Sequence, residues 1–172
     1  ISVLYFFDAD HKGTRFRMNQ IKEELVKAFP NFMFSKTYNA SVFYTIEDMK
    51  VGAFIFSKQD DTGMLEDVLL PIMKDGNDDI FEAAEIFLSI NKTCTLYKDK
   101  LQYDKNDTSI LKKVSSDTYS HNKSLIGTVG QLQKSGKSNT VCISDADYIT
   151  ESKIKANATC IEIIDLIKTV MI

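Results

Sequence analysis

The residues best placed to do chemistry are two aspartates, Asp8 and Asp10, at the end of the opening run ISVLYFF. Carboxylates two positions apart on a turning chain can converge on one hard cation. Mg²⁺ takes such oxygens and keeps water in its remaining positions. Six of the seven residues 1–7 are apolar or aromatic, which predicts a strand buried on both faces. The C-terminal end of such a strand is where open α/β sheets place their ligands. The competing reading is structural: a solvated loop in which one aspartate caps the next helix.

A second acidic group follows the apolar run VGAFIFS at 51–57. Asp60 and Asp61 lie just past it, Gly63 permits a turn, and Glu66 and Asp67 fall in the first turn of a helix expected over 64–73. Acids at a helix start are favoured by the macrodipole alone. The functional alternative brings Glu66 beside the Asp8/Asp10 turn as a further cation ligand. Arg15 and Arg17 open the helix that follows Asp10. They either bind a phosphate or neutralise the two aspartates, and the sequence leaves both open.

The elements that must position these residues can be read in order. After the first strand, Thr14 is the expected N-cap of a helix over 14–28 carrying Met18, Ile21, Leu25 and Ala28 on one face, with Pro30 ending it. Strand, acidic turn and helix make the first half of a βαβ unit. Residues 32–34 are a short apolar piece, and the runs 41–46 and 51–57 around Glu47-Asp48-Met49-Lys50 predict a hairpin, the second run buried on both faces. In the helix over 64–73, Leu65, Val68, Leu69 and Ile72 are expected in the core, with Pro71 interrupting it and a loop at 75–78. Residues 80–90 predict a helix with Ile80, Phe81, Ala84, Phe87 and Leu88 inward, and 91–107 a mobile segment or protruding hairpin. A helix is expected to begin in 109–116, and another to run over 123–132 with a glycine allowing close packing. Residues 140–143 predict a short strand or extended segment, Ser144/Asp145 a helix start, and 158–170 an apolar helix that closes the core. Gly136-Lys137-Ser138 does not make a phosphate loop, because five residues separate Gly130 from Gly136 where the motif needs four, and no buried strand precedes it.

At 172 residues and 44% hydrophobic content, the chain is sized for one domain with a sizeable core. A net charge of −3 argues against a broad basic surface. No apolar run approaches the ~20 residues of a membrane span, and the opening run is too short, and ends too soon in Asp8, for a signal peptide. Cys94, Cys142 and Cys160 form no CxxC, so reduced thiols and a cytoplasmic location are expected. The chain opens on Ile1 in mid-strand and not on Met, and residues upstream, or some loops, are expected to be absent from this sequence.

With FFDAD ahead of a helix, and VGAFIFS ahead of Gly63-Met64-Leu65-Glu66-Asp67, the chain resembles the Toprim superfamily, and within it a group of small prokaryotic proteins related to OLD-type nucleases. The resemblance covers most of the chain, with Lys123 and the helix over 158–170 matching a later lysine-bearing helix and a closing helix. It implies one α/β domain over 1–172: three-layered and Rossmann-like, with a mainly parallel central sheet, an antiparallel hairpin or edge, and helices on both faces. It also implies Mg²⁺ or Mn²⁺ held by Asp8 and Asp10, with Glu66, and Asp67 beside it, near a second cation. Arg15, Arg17, Lys58 and Lys123 are then the cations available to a phosphate.

Two functions follow. One is divalent-metal-dependent phosphoryl transfer on DNA or RNA, with Asp8, Asp10 and Glu66 catalytic. The other is a non-catalytic metal- or nucleotide-binding module that works with a partner such as an ATPase. Toprim catalysis also uses a glutamate at the end of an earlier strand, and no such strand and glutamate lie upstream of Ile1 in this sequence. The oligomeric state is not legible.

Overall fold

The run VGAFIF becomes the middle strand of a small sheet. The protein is described by a computed structural model covering residues 1–34, 39–91, 101–103, 111–113, 120–136 and 138–172, the pieces 101–103 and 111–113 by backbone alone. Strand β3 (Met49–Phe56) pairs parallel with β1 (Ser2–Asp8) and antiparallel with β2 (Ser41–Ile46), in the order β1-β3-β2. The sheet is thus mixed, with one parallel and one antiparallel pair, where a mainly parallel one was expected. The expected hairpin is β2–β3, closed by Glu47 and Asp48, with Glu47 in the left-handed region at φ 53°.

Residues 51–56 are all buried, as a central strand requires. The first strand is not buried on both faces: Phe6 and Phe7 remain 39% and 38% exposed. Among the described strands β1 lies at the edge of the sheet, flanked on one side only. The aromatic rings lean on neighbours, Phe6 on Phe56 and Phe7 on Tyr5, each with centroids 6.3 Å apart.

Helices cover the two faces. On one, α1 (Gly13–Ala28) sets Met18, Ile21 and Leu25 against Val51, Ala53 and Ile55. Thr14 does not cap this helix. The helix starts one residue earlier, and Lys12 stands at the cap position without a side-chain hydrogen bond. Phe32 and Phe34 extend this core through edge-to-face contacts with each other and with Tyr44, at 4.8–6.1 Å between centroids. On the other face the last helix of the chain, over Ala158–Met171, packs Leu166 and Val170 on Phe54 and Phe56. Gly52 makes that approach possible, since a Cβ there would meet Val170 Cγ2 at 2.6 Å and Leu4 Cδ2 at 2.8 Å. The helix closes this core with one stripe only, and Ile161 and Ile167 stay exposed.

A second cluster joins α2 (Leu65–Lys74), α3 (Asp78–Asn91) and α4 (His121–Gln133) through Met73, Phe81, Ala84, Leu125, Ile126 and Val129, with Cys142 and Tyr148. Pro71 does not interrupt α2. The helix runs through it, and the Pro71 carbonyl accepts from the Asp75 amide. Leu65 and Phe87, expected in the core, are exposed.

Residues 140–143 are helical and not a strand. A short turn, α5 (Ser138–Thr140), runs into a π-turn at Val141–Asp145, in which Val141 and Cys142 are buried and the Ala146 amide reaches back to the Val141 carbonyl. Ser144 and Asp145 therefore end an element and do not start one. The next helix, α6 (Glu151–Ala156), is capped by the Thr150 hydroxyl, and the closing helix, α7, by the Asn157 side chain.

Within 109–116, where a helix was expected, Leu111–Lys113 is strand β5, paired antiparallel with β4 (Leu101–Tyr103). Of the segments 91–107 and 109–116, residues 92–100, 104–107, 109–110 and 114–116, with Cys94, lie outside the described residues, as does Lys137. Cys142 and Cys160 carry free thiols, and burial pushes both up from the ordinary thiol pKa. Among the described residues no helix is long and apolar enough to cross a membrane.

Candidate functional site

The end of β1 is fastened to the segment after β3 by backbone as well as side chains. The amide of the fully buried Ala9 donates to the Phe56 carbonyl at 3.0 Å, carrying the parallel pairing past Asp8. The Asp10 amide then donates to the Gly63 carbonyl at 2.8 Å, an isolated antiparallel bridge. Asp10 holds φ at 53°, a left-handed conformation that aspartate tolerates better than most residues. Gly63 has φ 150°, and a Cβ there would meet the Phe56 carbonyl oxygen and Ser57 Cα at 2.9 Å, so only glycine fits the bridge.

Asp8 and Asp10 use their carboxylates differently. Asp8 Oδ1 accepts the Leu65 amide at 2.8 Å, which satisfies one of the orphan donors at the start of α2. Asp10 Oδ2 is paired with Arg17 Nη2 at 2.6 Å. The same guanidinium donates from Nε to the Asp8 carbonyl and from Nη1 to Gln20 Oε1, at 2.8 and 2.9 Å. Arg17 therefore neutralises the turn, and of the two readings open for it this is the one its contacts match. Arg15 remains exposed in the first turn of α1.

The start of α2 gathers the second group. Asp67 Oδ2 accepts the Met64 amide at 2.9 Å, the reciprocal half of a capping box. Its Oδ1 accepts Asn122 Nδ2 at 2.7 Å and lies 3.6 Å from Lys58 Nζ. Glu66 stands 4.0 Å from Lys123 Nζ, and the Ser120 hydroxyl approaches Met64 Sδ at 3.5 Å. The start of α4 thus docks on the start of α2.

Asp61 caps the neighbouring helix, accepting the Thr14 amide at 2.8 Å across 47 positions of sequence. The Thr14 hydroxyl and amide hold its carboxyl below the ordinary aspartate range, and Thr62 does the same for Asp60. Gly13, at φ 85°, is where the chain passes Asp61, and a Cβ would clash with that carboxylate.

One end of the sheet therefore holds Asp8, Asp10, Glu66 and Asp67 together with Arg17, Lys58 and Lys123. Asn122 and Asp61 complete it. Asn122 carries no spacing signal in the sequence, and Asp61 reads there only as a polar residue past a strand. The acids do not form a closed cage: among the described residues, no group of three or more His, Cys, Asp or Glu stands close enough to hold a metal ion. A cavity of about 250 Å³ opens next door, between the end of β3, α2 and the start of α7, with Lys58, Asp67 and Glu162 in its wall. Asp8, Asp10 and Glu66 do not line it and are half-buried beside it. The donor chemistry still fits a hard cation, because Mg²⁺ needs only one or two carboxylates and retains water on its other positions.

No curated protein and no solved structure matches the chain. The model of a family described as "Protein of unknown function (DUF3226)" matches residues 3–162, a span that includes the Asp8/Asp10 turn, the α2 start and the α4 start. The chain belongs to the DUF3226 family.

Proposed function

We propose that this protein binds a divalent cation, Mg²⁺ or Mn²⁺, at the Asp8/Asp10 turn and acts on phosphodiesters of nucleic acid. On this reading the sheet between α1 and α7 is the core of a Toprim-like three-layer domain in a cytoplasmic protein. What supports it most is the Leu65 N–H to Asp8 hydrogen bond, because it holds the start of α2, with Glu66, against the end of β1. Asp8 and Asp10 each have one oxygen committed to a protein donor and offer the other to a cation. Glu66 supports a second cation or orients water. Lys58, Lys123 and Arg15 neutralise the phosphate, and Arg17 competes with the ion for Asp10. The bound ion would supply Lewis-acid polarisation of a phosphoryl oxygen and stabilise the leaving oxygen.

The test is cleavage of single- and double-stranded DNA and RNA in Mn²⁺, by the wild type and by Asp8→Asn and Glu66→Gln. Cleavage by the wild type that both variants lose supports the reading, and equal cleavage by the variants overturns it. A second reading has its own support: Arg17 already occupies Asp10, and no three-carboxylate group is found among the described residues. It makes the protein a non-catalytic metal- or nucleotide-binding module working with a partner such as an ATPase. Metal binding without cleavage by the full-length protein selects it.

A further inference from the structure

The start of α1 carries a feature that neither the core nor the carboxylates require. Helical geometry, at about 100° per residue, puts Phe16 on the opposite side of α1 from Met18, Ile21 and Leu25. The ring is 42% exposed there, among polar neighbours. Lys12 Nζ lies 4.8 Å from the ring centroid and Arg17 Cζ 5.9 Å from it. From His11 to Arg17 the chain holds Lys12, Arg15 and Arg17 and no acid. The first turn of a helix is where the macrodipole favours acids and disfavours cations. In a chain of net charge −3, this turn concentrates positive charge around an exposed aromatic ring, next to the Asp8/Asp10 turn. Glu23 and Glu24, further along α1, bound the patch.

A flat aromatic face flanked by cations fits a strand of unpaired bases, since every base has a face to stack and a phosphate beside it. In a duplex those faces are already stacked. We propose that Phe16, with Lys12 and Arg15, is a stacking platform for single-stranded nucleic acid that leads a strand toward the Asp8/Asp10 turn. Arg17 is held by three hydrogen bonds and fixes one flank of the ring. Lys12 is exposed and free to swing from the ring to a phosphate as a base takes its place. The proposal rests on the nucleic-acid part of the function above and is independent of the metal part.

The experiment is fluorescence anisotropy in EDTA, with a labelled single strand of about twelve nucleotides, within the usual span of such sites, and a blunt duplex of the same sequence. Without a divalent cation the measurement cannot fail merely because the metal site fails. The expected result is preference for the single strand and a loss of about ten-fold in its affinity for Phe16→Ala, the scale of one lost base stack. Phe16→Tyr keeps the ring and should restore binding. Lys12→Ala with Arg15→Ala should lower the slope of log affinity against log salt by about 1 to 2. No binding by the wild type, a preference for duplex, equal affinity for a mononucleotide, or unchanged binding by Phe16→Ala would each overturn the proposal.

Discussion

Asp8 caps the start of α2 and is the proposed cation ligand, and a pair of substitutions separates the two. Its Oδ1 accepts the Leu65 amide at 2.8 Å, so alanine leaves a helix N-terminal donor without its partner. Loss of a side-chain acceptor at a helix start costs about 1 kcal/mol. The carboxylate charge beside the α2 dipole adds a few tenths, reduced by solvent at this partly exposed site. For a chain of this length 1 kcal/mol moves the melting temperature by about 2–4 °C. Asparagine keeps the accepting oxygen at the same reach and removes only the charge. Asp8→Ala is therefore expected to melt about 3 °C below the wild type and Asp8→Asn within about 1 °C of it. Both are expected to lose divalent-cation binding. Thermal unfolding followed by far-UV circular dichroism, in EDTA, reads the first effect without the second. Equal melting of Asp8→Ala and the wild type, or an Asp8→Asn as damaged as the alanine variant, refutes the capping role and with it the link between β1 and α2.

Three further predictions share this frame. Arg17→Gln removes the cation that holds Asp10 Oδ2, so Mn²⁺ is expected to bind about three- to ten-fold tighter; weaker binding by calorimetry would make Arg17 a support for the ion and not its competitor. Gly63→Ala places a Cβ against the Phe56 carbonyl at 2.9 Å and in a strained φ, and a loss of about 2 kcal/mol in urea unfolding is expected, against which an unchanged midpoint would count. Asp61, its carboxyl lowered by the Thr14 hydroxyl and amide, stabilises the fold fully above the ordinary aspartate value of 3.8; that stability is lost as pH falls through its lower folded value. Asp61→Asn should therefore be less stable than the wild type near neutrality, with the difference shrinking on acidification, and a constant difference across pH contradicts the assignment.

Elements with a single strong periodicity were legible in the sequence. The apolar runs at 41–46 and 51–57, the stripe Met18-Ile21-Leu25 and the apolar last helix all fold as their patterns require, within a residue or two at the ends. What was not legible is long-range. ISVLYFF and VGAFIF carry the same pattern, yet one is the edge of the described sheet and the other its centre, because burial by a neighbouring strand is decided by pairing and not by composition. Thr14 looked like a cap since local chemistry allows it, but the cap comes from Asp61, 47 positions away. The polar segment 140–145 offered β-branched residues at 140, 141 and 143, and burial of Val141 together with packing of Cys142 against Leu125, Ile126 and Val129 of α4 outweighed that local preference with a π-turn. At the site, Asp8, Asp10, Glu66 and Asp67 were legible as acids at element ends. Arg17 was legible as either a phosphate ligand or a counter-ion, and the fold makes it the counter-ion of Asp10; Asn122 and Leu65 emerge as partners only once the chain is folded, Leu65 tying Asp8 to a helix start.

The central claim, a divalent cation on the Asp8/Asp10 turn, is tested most directly by calorimetric titration of Mn²⁺ and Mg²⁺ into the wild type and into Asp8→Asn/Asp10→Asn. Both proteins are expected to be folded, since the asparagine at position 8 keeps the contact to Leu65. Saturable binding is expected of the wild type and none of the double variant. Absence of binding in the wild type, or binding that survives in the double variant, contradicts the claim and leaves these acids as caps and counter-ions of the fold.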